Sequence, residues 1–332
     1  MSFRTIGKSN LKLSAITFGA WAVGGWMWGG ADTNDAIEAM KAAYDHGITS
    51  IDTAPAYGQG DSEILVGEAI KGISRDKVQI MTKFGMRWDL PDFKGPVHSV
   101  SKDNDGREIK TVKFAGRESV IYEAEQSLKR LKTDYIDLYQ IHWPDETTPM
   151  DETFEAVIRL KEQGKIIEAG VCNYDTAQTA EANDLIKLVS NQVPYSVLRR
   201  EIEDELVPYA LKNNIGIIAY SPLERGLLTG KITSDYKFNA GDHRATRSWF
   251  LGENLKQVNQ FLARIKPIAE EKNVTLAQLL LRWTIDQPGI VIALAGARNA
   301  KQAIENGAAM EITLCEEELL LIRRAAGFVK MI

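Results

Sequence analysis

Four residues of this chain are of types that together could protonate an oxygen on which negative charge is developing. Asp52 closes the run TSID, Lys83 closes VQIMTK and His142 closes DLYQIH, so each ionisable group ends a stretch of largely apolar residues. Tyr57 follows in the loop APAYG, where Pro55 and Gly58 supply turn chemistry able to fold a ring back over the strand ends. A phenol with an ordinary pKa near 10 is protonated at neutral pH and can act as an acid, and a neighbouring ammonium lowers that pKa toward the working range. Asp52 would keep the Lys83 ammonium charged in a partly desolvated site, while a neutral His142 would donate a hydrogen bond to a substrate oxygen and orient it. Taken singly, a strand-end Asp is as well explained as a cap, a strand-end Lys as a snorkelling surface residue and Tyr57 as an ordinary loop aromatic. Three ionisable residues ending successive strands are much harder to dismiss.

The elements that must position these groups follow a repeating pattern. Eight short strands are predicted at 15–19, 49–53, 78–83, 136–142, 169–172, 190–193, 216–220 and 290–295. Between them lie helices at 33–46, 62–72, 117–131, 151–163, 176–183, 202–213, a long stretch from 255 to 286, and 300–308. Thr33 before NDAIEAM and Gly164 after LKEQ mark helix boundaries. Alternation of this kind without a composition break predicts an α/β fold, a (β/α)8 TIM barrel running through residues 1–332 as a single domain. The opening FRTIGKSNLKLS reads as a β-hairpin that would plug the barrel floor. Two long loops follow strands three and seven, 84–116 and 223–255, and lie on the face where barrels assemble their sites. The first contains SKDNDGREIK, a flexible excursion or a small hairpin.

Composition narrows the function further. The chain of 332 residues has 40 basic and 45 acidic side chains, a net charge of -5, which argues against a phosphate-neutralising nucleic-acid surface. It opens without a signal-peptide apolar core, and its longest apolar run, near IVIALAGA, falls well short of the roughly 18 residues of a membrane span, so a cytoplasmic location is expected. The segment GQGDSE ends in Glu63 where a dinucleotide fingerprint needs Gly, and GLLTGKI lacks the spacing of a P-loop. The four histidines, His46, His98, His142 and His243, show no helical pairing, so no metal site is expected. Of the seven tryptophans, Trp21, Trp26, Trp28, Trp88, Trp143 and Trp249 fall in predicted loops, and Trp283 is expected in the core.

The pieces IDTAPAYG, TDYIDLYQIHWPD, GKIIEAGVCNYD, AYSPLERGLLTGK and GARNAKQAIEN resemble, in order, the signatures of the aldo-keto reductases, NAD(P)H-dependent barrel enzymes. WAVGGWMWGG at 21–30 is particularly similar to the bacterial family 11 branch, that of general stress protein 69 and the inositol-utilisation reductases. The resemblance implies that Tyr57 is the general acid, that Lys83 and Asp52 tune it, and that His142 orients the substrate. It also implies that Gly19, Ala20, Trp21 and Asp52 border the cofactor, that Cys172, Asn173 and Gln192 face the nicotinamide carboxamide, and that Tyr220 stacks on its ring. Cys172 stands where the family usually has Ser, and a thiol is the weaker hydrogen-bond partner.

By the same resemblance Ser221, Pro222, Leu223, Arg225, Gly226, Leu228, Gly230 and Lys231 form the loop over the pyrophosphate, with Arg244 as a second clamp. Gly296, Arg298, Gln302, Glu305 and Asn306 would meet the adenosine end, and an arginine there favours NADPH over NADH. Trp21, Trp88 and Trp143, with Tyr57 and His142, would wall a pocket for a small aldehyde or ketone. The sequence leaves the oligomeric state open, and a monomer is compatible with all of this. Two other readings stay open: an NADPH-binding regulatory or redox-sensing subunit, like the potassium-channel β subunits, and a Schiff-base aldolase using Lys83.

Overall fold

The computed structural model describes residues 2–25, 28, 32–90, 92–93, 95–103 and 105–330; Trp26 and part of the tryptophan-rich segment lie outside them. The chain begins with the expected hairpin, β1 (Phe3–Thr5) against β2 (Lys12–Ser14), antiparallel. Its turn needs Gly7, whose φ is +52° and where an added Cβ would lie 2.4 Å from the Val189 carbonyl oxygen. The hairpin sends Ile6 and Leu13, both fully buried, among Met81, Leu138, Val189, Ile218 and Ile292 inside the barrel. Ile6→Ala would leave a cavity there. We expect a loss of about 2–5 kcal/mol, read by urea denaturation, with the site above it little changed.

The barrel opens with β3 (Ile16–Gly19), then α1 (Thr33–Asp45), β4 (Ser50–Asp52), α2 (Asp61–Ala69) and β5 (Gln79–Phe84). Strands β6 (Met86–Arg87), β7 (Val97–Lys102) and β8 (Glu108–Lys113) leave the barrel before α3 (Arg117–Leu131). The repeat resumes with β9 (Ile136–Ile141), α4 (Met150–Glu162), β10 (Ile166–Cys172), α5 (Thr176–Leu185), β11 (Ser190–Pro194), α6 (Leu206–Asn213) and β12 (Gly216–Tyr220). It ends with α7 (Gly252–Glu271), α8 (Leu276–Ile285), β13 (Ile290–Ala295), α9 (Ala300–Ala308) and α10 (Glu316–Ala326). Strands β3, β4, β5, β9, β10, β11, β12 and β13 are parallel, each beside the next, and β13 pairs with β3 to close the barrel. The predicted (β/α)8 fold is therefore the fold observed.

The differences from the expected elements have local causes. The stretch 255–286 is two helices, because Asn273 turns left-handed at φ +53° and Thr275 then caps α8 in a reciprocal box with Gln278. α6 starts at Leu206, and 201–203 form a separate 3-10 turn, since Pro208 has no N–H to bond the carbonyl of residue 204. α1 is capped by Asp32, whose carboxylate accepts from the Asn34 and Asp35 amides, rather than opened by Thr33 as its cap. Of the two readings of SKDNDGREIK, the structure has the hairpin. β7 and β8 pair antiparallel, β6 adds a third strand, and Asp103 accepts from the Asp105 and Arg107 amides at the turn.

Candidate active site

At the carboxyl end of the barrel lies a cavity of about 570 Å³. Asp52 is the last residue of β4, Lys83 the fifth of β5, and His142 comes one residue after β9. Strand alternation turns Lys83 inward, where it is fully buried and donates to Asp52 Oδ1 at 2.6 Å and to the Thr53 carbonyl at 2.9 Å. The other Asp52 oxygen accepts from Gln192 Nε2 at 2.9 Å and, more distantly, from Gln140 Nε2 at 3.4 Å. This carboxylate is thus ringed by donors from β5, β9 and β11. Glu63, the residue that spoils the dinucleotide fingerprint, is structural: it accepts from Thr82 beside Lys83 and from Arg130 of α3, both at 2.6 Å.

The Tyr57 ring lies 5.0 Å from Lys83 Nζ, 5.7 Å from the His142 ring in an edge-to-face arrangement, and 6.3 Å from the Trp21 ring. Burial of its hydroxyl pushes the phenol up to about 12 even though the Lys83 ammonium pulls it down. The expectation that Lys83 brings Tyr57 toward neutral pH is therefore corrected for this structure, where desolvation outweighs the ammonium. Burial likewise works against the charge on Lys83, but Asp52 and Tyr57 reverse that and hold its pKa above the ordinary value. His142 is kept well below its usual range by burial, by Lys83 and by His98, so it is neutral at physiological pH. Among the described residues its Nδ1 and the Trp21 indole nitrogen are buried without a hydrogen-bond partner, which leaves polar capacity at the cavity wall.

Farther along, Asn173 (φ +60°) donates to the His142 carbonyl at 2.9 Å and accepts from the Tyr220 hydroxyl at 2.9 Å. After β12 the backbone is left-handed at Ser221, Glu224, Arg225 and Gly226, a conformation that can aim N–H groups at an anion. Arg244 is fixed by Asp242 and donates to the Arg225 carbonyl at 3.0 Å. Its guanidinium lies 4.9 Å from the Trp28 ring and that of Arg298 5.8 Å; Arg298 also donates to the Trp28 carbonyl. The Arg298 amide donates to Gln302 Oε1 at 2.9 Å, and Asn306 donates to the Gly296 carbonyl at 3.1 Å. Glu305 accepts from Thr275 at 2.9 Å.

Most of the expected cofactor residues line this one cavity. They do so as three groups: Gly19 ending β3 and Trp21 beyond it; Asn173 after β10, Gln192 within β11 and Tyr220 ending β12, followed by Ser221, Pro222 and Leu223 with Arg225, Gly226, Lys231 and Arg244; and Gly296, Arg298, Gln302, Glu305 and Asn306. Ala20, Cys172 and Leu228 are buried behind that surface, and Gly230 is also outside the lining. Trp88 does not join the substrate wall. It lines a separate crevice with Pro55, Tyr122 and Arg130, because Arg87, held by Asp89 and Ser119, carries the chain toward α3. Sequence reasoning did not single out Gln140, His98, Ser99, Thr111 or Arg247. Gln140 could have been found, since it is two residues before His142 in β9 and period two places both on one face.

A cavity lined by strand-end polar groups and by five basic side chains, Arg225, Lys231, Arg244, Arg247 and Arg298, suits a long anionic ligand such as a nicotinamide dinucleotide. The comparisons agree with this shape. The Aldo/keto reductase family model matches residues 15–326. Aldo-keto reductase YhdN of Bacillus subtilis is 40% identical over 304 residues, 91% of this chain and 86% of its own. The NADH-specific methylglyoxal reductase of Escherichia coli is 37% identical over 326 residues, 97% of each chain. The solved glycerol dehydrogenase AKR11B4 from Gluconobacter oxydans superposes with a TM-score of 0.86 at 33% identity, covering 98% of this chain and 95% of that one, and its family 11 designation agrees with the branch suggested by residues 21–30. The chain accordingly belongs to the aldo/keto reductase family.

Proposed function

We propose that the protein reduces aldehydes and ketones to alcohols with a nicotinamide dinucleotide, NADPH in preference to NADH, and that Tyr57 delivers the proton. The observation that carries this reading is the buried Asp52–Lys83 pair beneath a protonated Tyr57, with a neutral His142 beside it at the mouth of one cavity. The dinucleotide, when bound, supplies the hydride to the carbonyl carbon. Tyr57 holds its proton until charge grows on the substrate oxygen, then gives it up, and the Lys83 ammonium stabilises the phenolate left behind. Asp52 keeps Lys83 charged and fixed. His142, neutral, donates to the same oxygen and sets its angle, while Trp21 and Trp143 exclude water from it. With Lys83 held charged by Asp52, it is a poor Schiff-base nucleophile, which sets the aldolase reading aside. A panel of small aldehydes and ketones assayed with NADPH and NADH in parallel tests the proposal, and no oxidation of either dinucleotide would reject it.

The cofactor preference rests on Arg298, which lines the cavity together with Arg244 and Trp28. A guanidinium bound to a 2′-phosphate contributes about 1.5–3 kcal/mol as a charged hydrogen bond. Arg298→Ala should therefore raise the NADPH KM roughly 10- to 100-fold and leave the NADH KM within a fewfold. The Escherichia coli relative is named as NADH-specific, so the wild-type comparison is informative in itself. Better turnover with NADH than with NADPH would remove this role from Arg298.

A further inference from the structure

The sheet formed by β6, β7 and β8 brings to the cavity groups for which carbonyl reduction itself has no use. His98 and Ser99 of β7 and Thr111 of β8 line the cavity together with His142 and Trp143. Trp143 is the centre of this wall: the His98 ring lies 5.6 Å from it at a tilt of 41°, and Lys113 Nζ lies 5.2 Å from its centroid. Lys113 makes no ion pair with any described residue. The acidic side chains that line the cavity are already engaged, Asp52 by Lys83 and Glu305 by Thr275. Asp145, two residues beyond Trp143, is spent on the Ala115 amide and on Thr147. Burial and the Lys113 charge hold the His98 imidazole below its ordinary pKa, so His98 lines the cavity as a neutral ring, while Lys113, itself outside the lining, sets a positive charge against the Trp143 ring that does line it.

We infer that the natural carbonyl substrate carries an anionic group, a carboxylate or a phosphate, at the end away from its carbonyl, and that Lys113 and His98 receive it against the Trp143 ring with Ser99 and Thr111 as further donors. This deepens the reductase reading above and rests on it. Tyr57 and His142 take the carbonyl end, and Trp143, the residue after His142, carries the contacts with His98 and Lys113 on its own ring. An arriving anion pairs with Lys113 and draws a proton onto His98, adding a second charge-assisted hydrogen bond. The competing account is mechanical: Lys113 and His98 would merely brace the hairpin on Trp143 by cation–π and ring contact.

The two accounts separate in a matched-substrate assay on the full chain. 4-Oxobutanoate is compared with butanal, and glyceraldehyde 3-phosphate with glyceraldehyde, using whichever dinucleotide supports turnover. In at least one pair the charged member should have kcat/KM roughly tenfold or more above its neutral partner, the size of one charge-assisted hydrogen bond, and the pair that shows it identifies carboxylate or phosphate. Lys113→Gln and His98→Gln should each reduce that ratio several-fold, mainly through KM for the charged substrate, while Lys113→Arg retains it. A wild-type ratio near or below one in both pairs, or a ratio that survives Lys113→Gln, overturns the inference while leaving the reductase reading in place. Failure to reduce any of the four compounds overturns the reductase reading, and this inference with it.

Discussion

Tyr57→Phe is expected to bind NADPH as tightly as the wild type and to reduce a test aldehyde about 10²- to 10⁴-fold more slowly, the usual contribution of a positioned acid. The substitution removes one oxygen and leaves the ring contacts with His142 and Trp21, so the cavity wall keeps its shape. Cofactor affinity is read by fluorescence titration and turnover by loss of NADPH absorbance. A variant that reduces the aldehyde at the wild-type rate would move the acid to another group. The pH dependence follows from the phenol standing at about 12 in the free site. Reduction requires the protonated form, which is fully present through neutral and mildly alkaline pH, so Tyr57 should impose no fall in kcat/KM there. Oxidation of the alcohol requires the phenolate and should become faster as pH rises over the same range.

What the sequence made legible was whatever depends on one strand at a time. Asp52, Lys83 and His142 could be read because each interrupts an apolar run at its carboxyl end, where a (β/α)8 barrel gathers side chains from different strands. The hairpin that fills the barrel floor was equally legible, since the short strands around Gly7 have nowhere else to bury Ile6 and Leu13. Features that depend on two distant segments were not. Nothing local to β5 says that Lys83 is fully buried rather than snorkelling, because that follows only once Asp52 arrives from β4 to pair with it. Trp88, like Trp143, falls in a predicted loop, but the Arg87 bonds to Asp89 and Ser119 aim the chain elsewhere. His98 lies in a segment whose pairing with 108–113 fixes its place beside Trp143, and the loop reading left that pairing open. The balance of forces on the Tyr57 phenol was also out of reach, since the charge of Lys83 is visible in sequence and the desolvation that outweighs it is not.

Removing either partner of the Asp52–Lys83 pair should cost both catalysis and stability, and the two costs can be separated. In Lys83→Met the Asp52 carboxylate keeps Gln192 and, at longer range, Gln140 as donors but loses its only counter-ion among the described residues, deep in the barrel. Leaving one charge of a buried pair behind typically costs about 3–5 kcal/mol. Urea denaturation of Lys83→Met should show a loss of that size, with turnover falling alongside because the phenolate of Tyr57 is no longer stabilised. Asp52→Asn leaves the ammonium buried instead and should be destabilised comparably. The double variant Asp52→Asn with Lys83→Met removes both charges and should recover much of the lost stability, since a buried ion pair replaced by neutral groups is often close to neutral overall. Its turnover should stay as low as that of Lys83→Met. Stability and activity would then part company in one protein, as they must if Asp52 acts on the reaction only through the lysine it holds. Recovery of activity together with stability would mean that the pair merely supports the barrel, and that the proton on Tyr57 moves without its help.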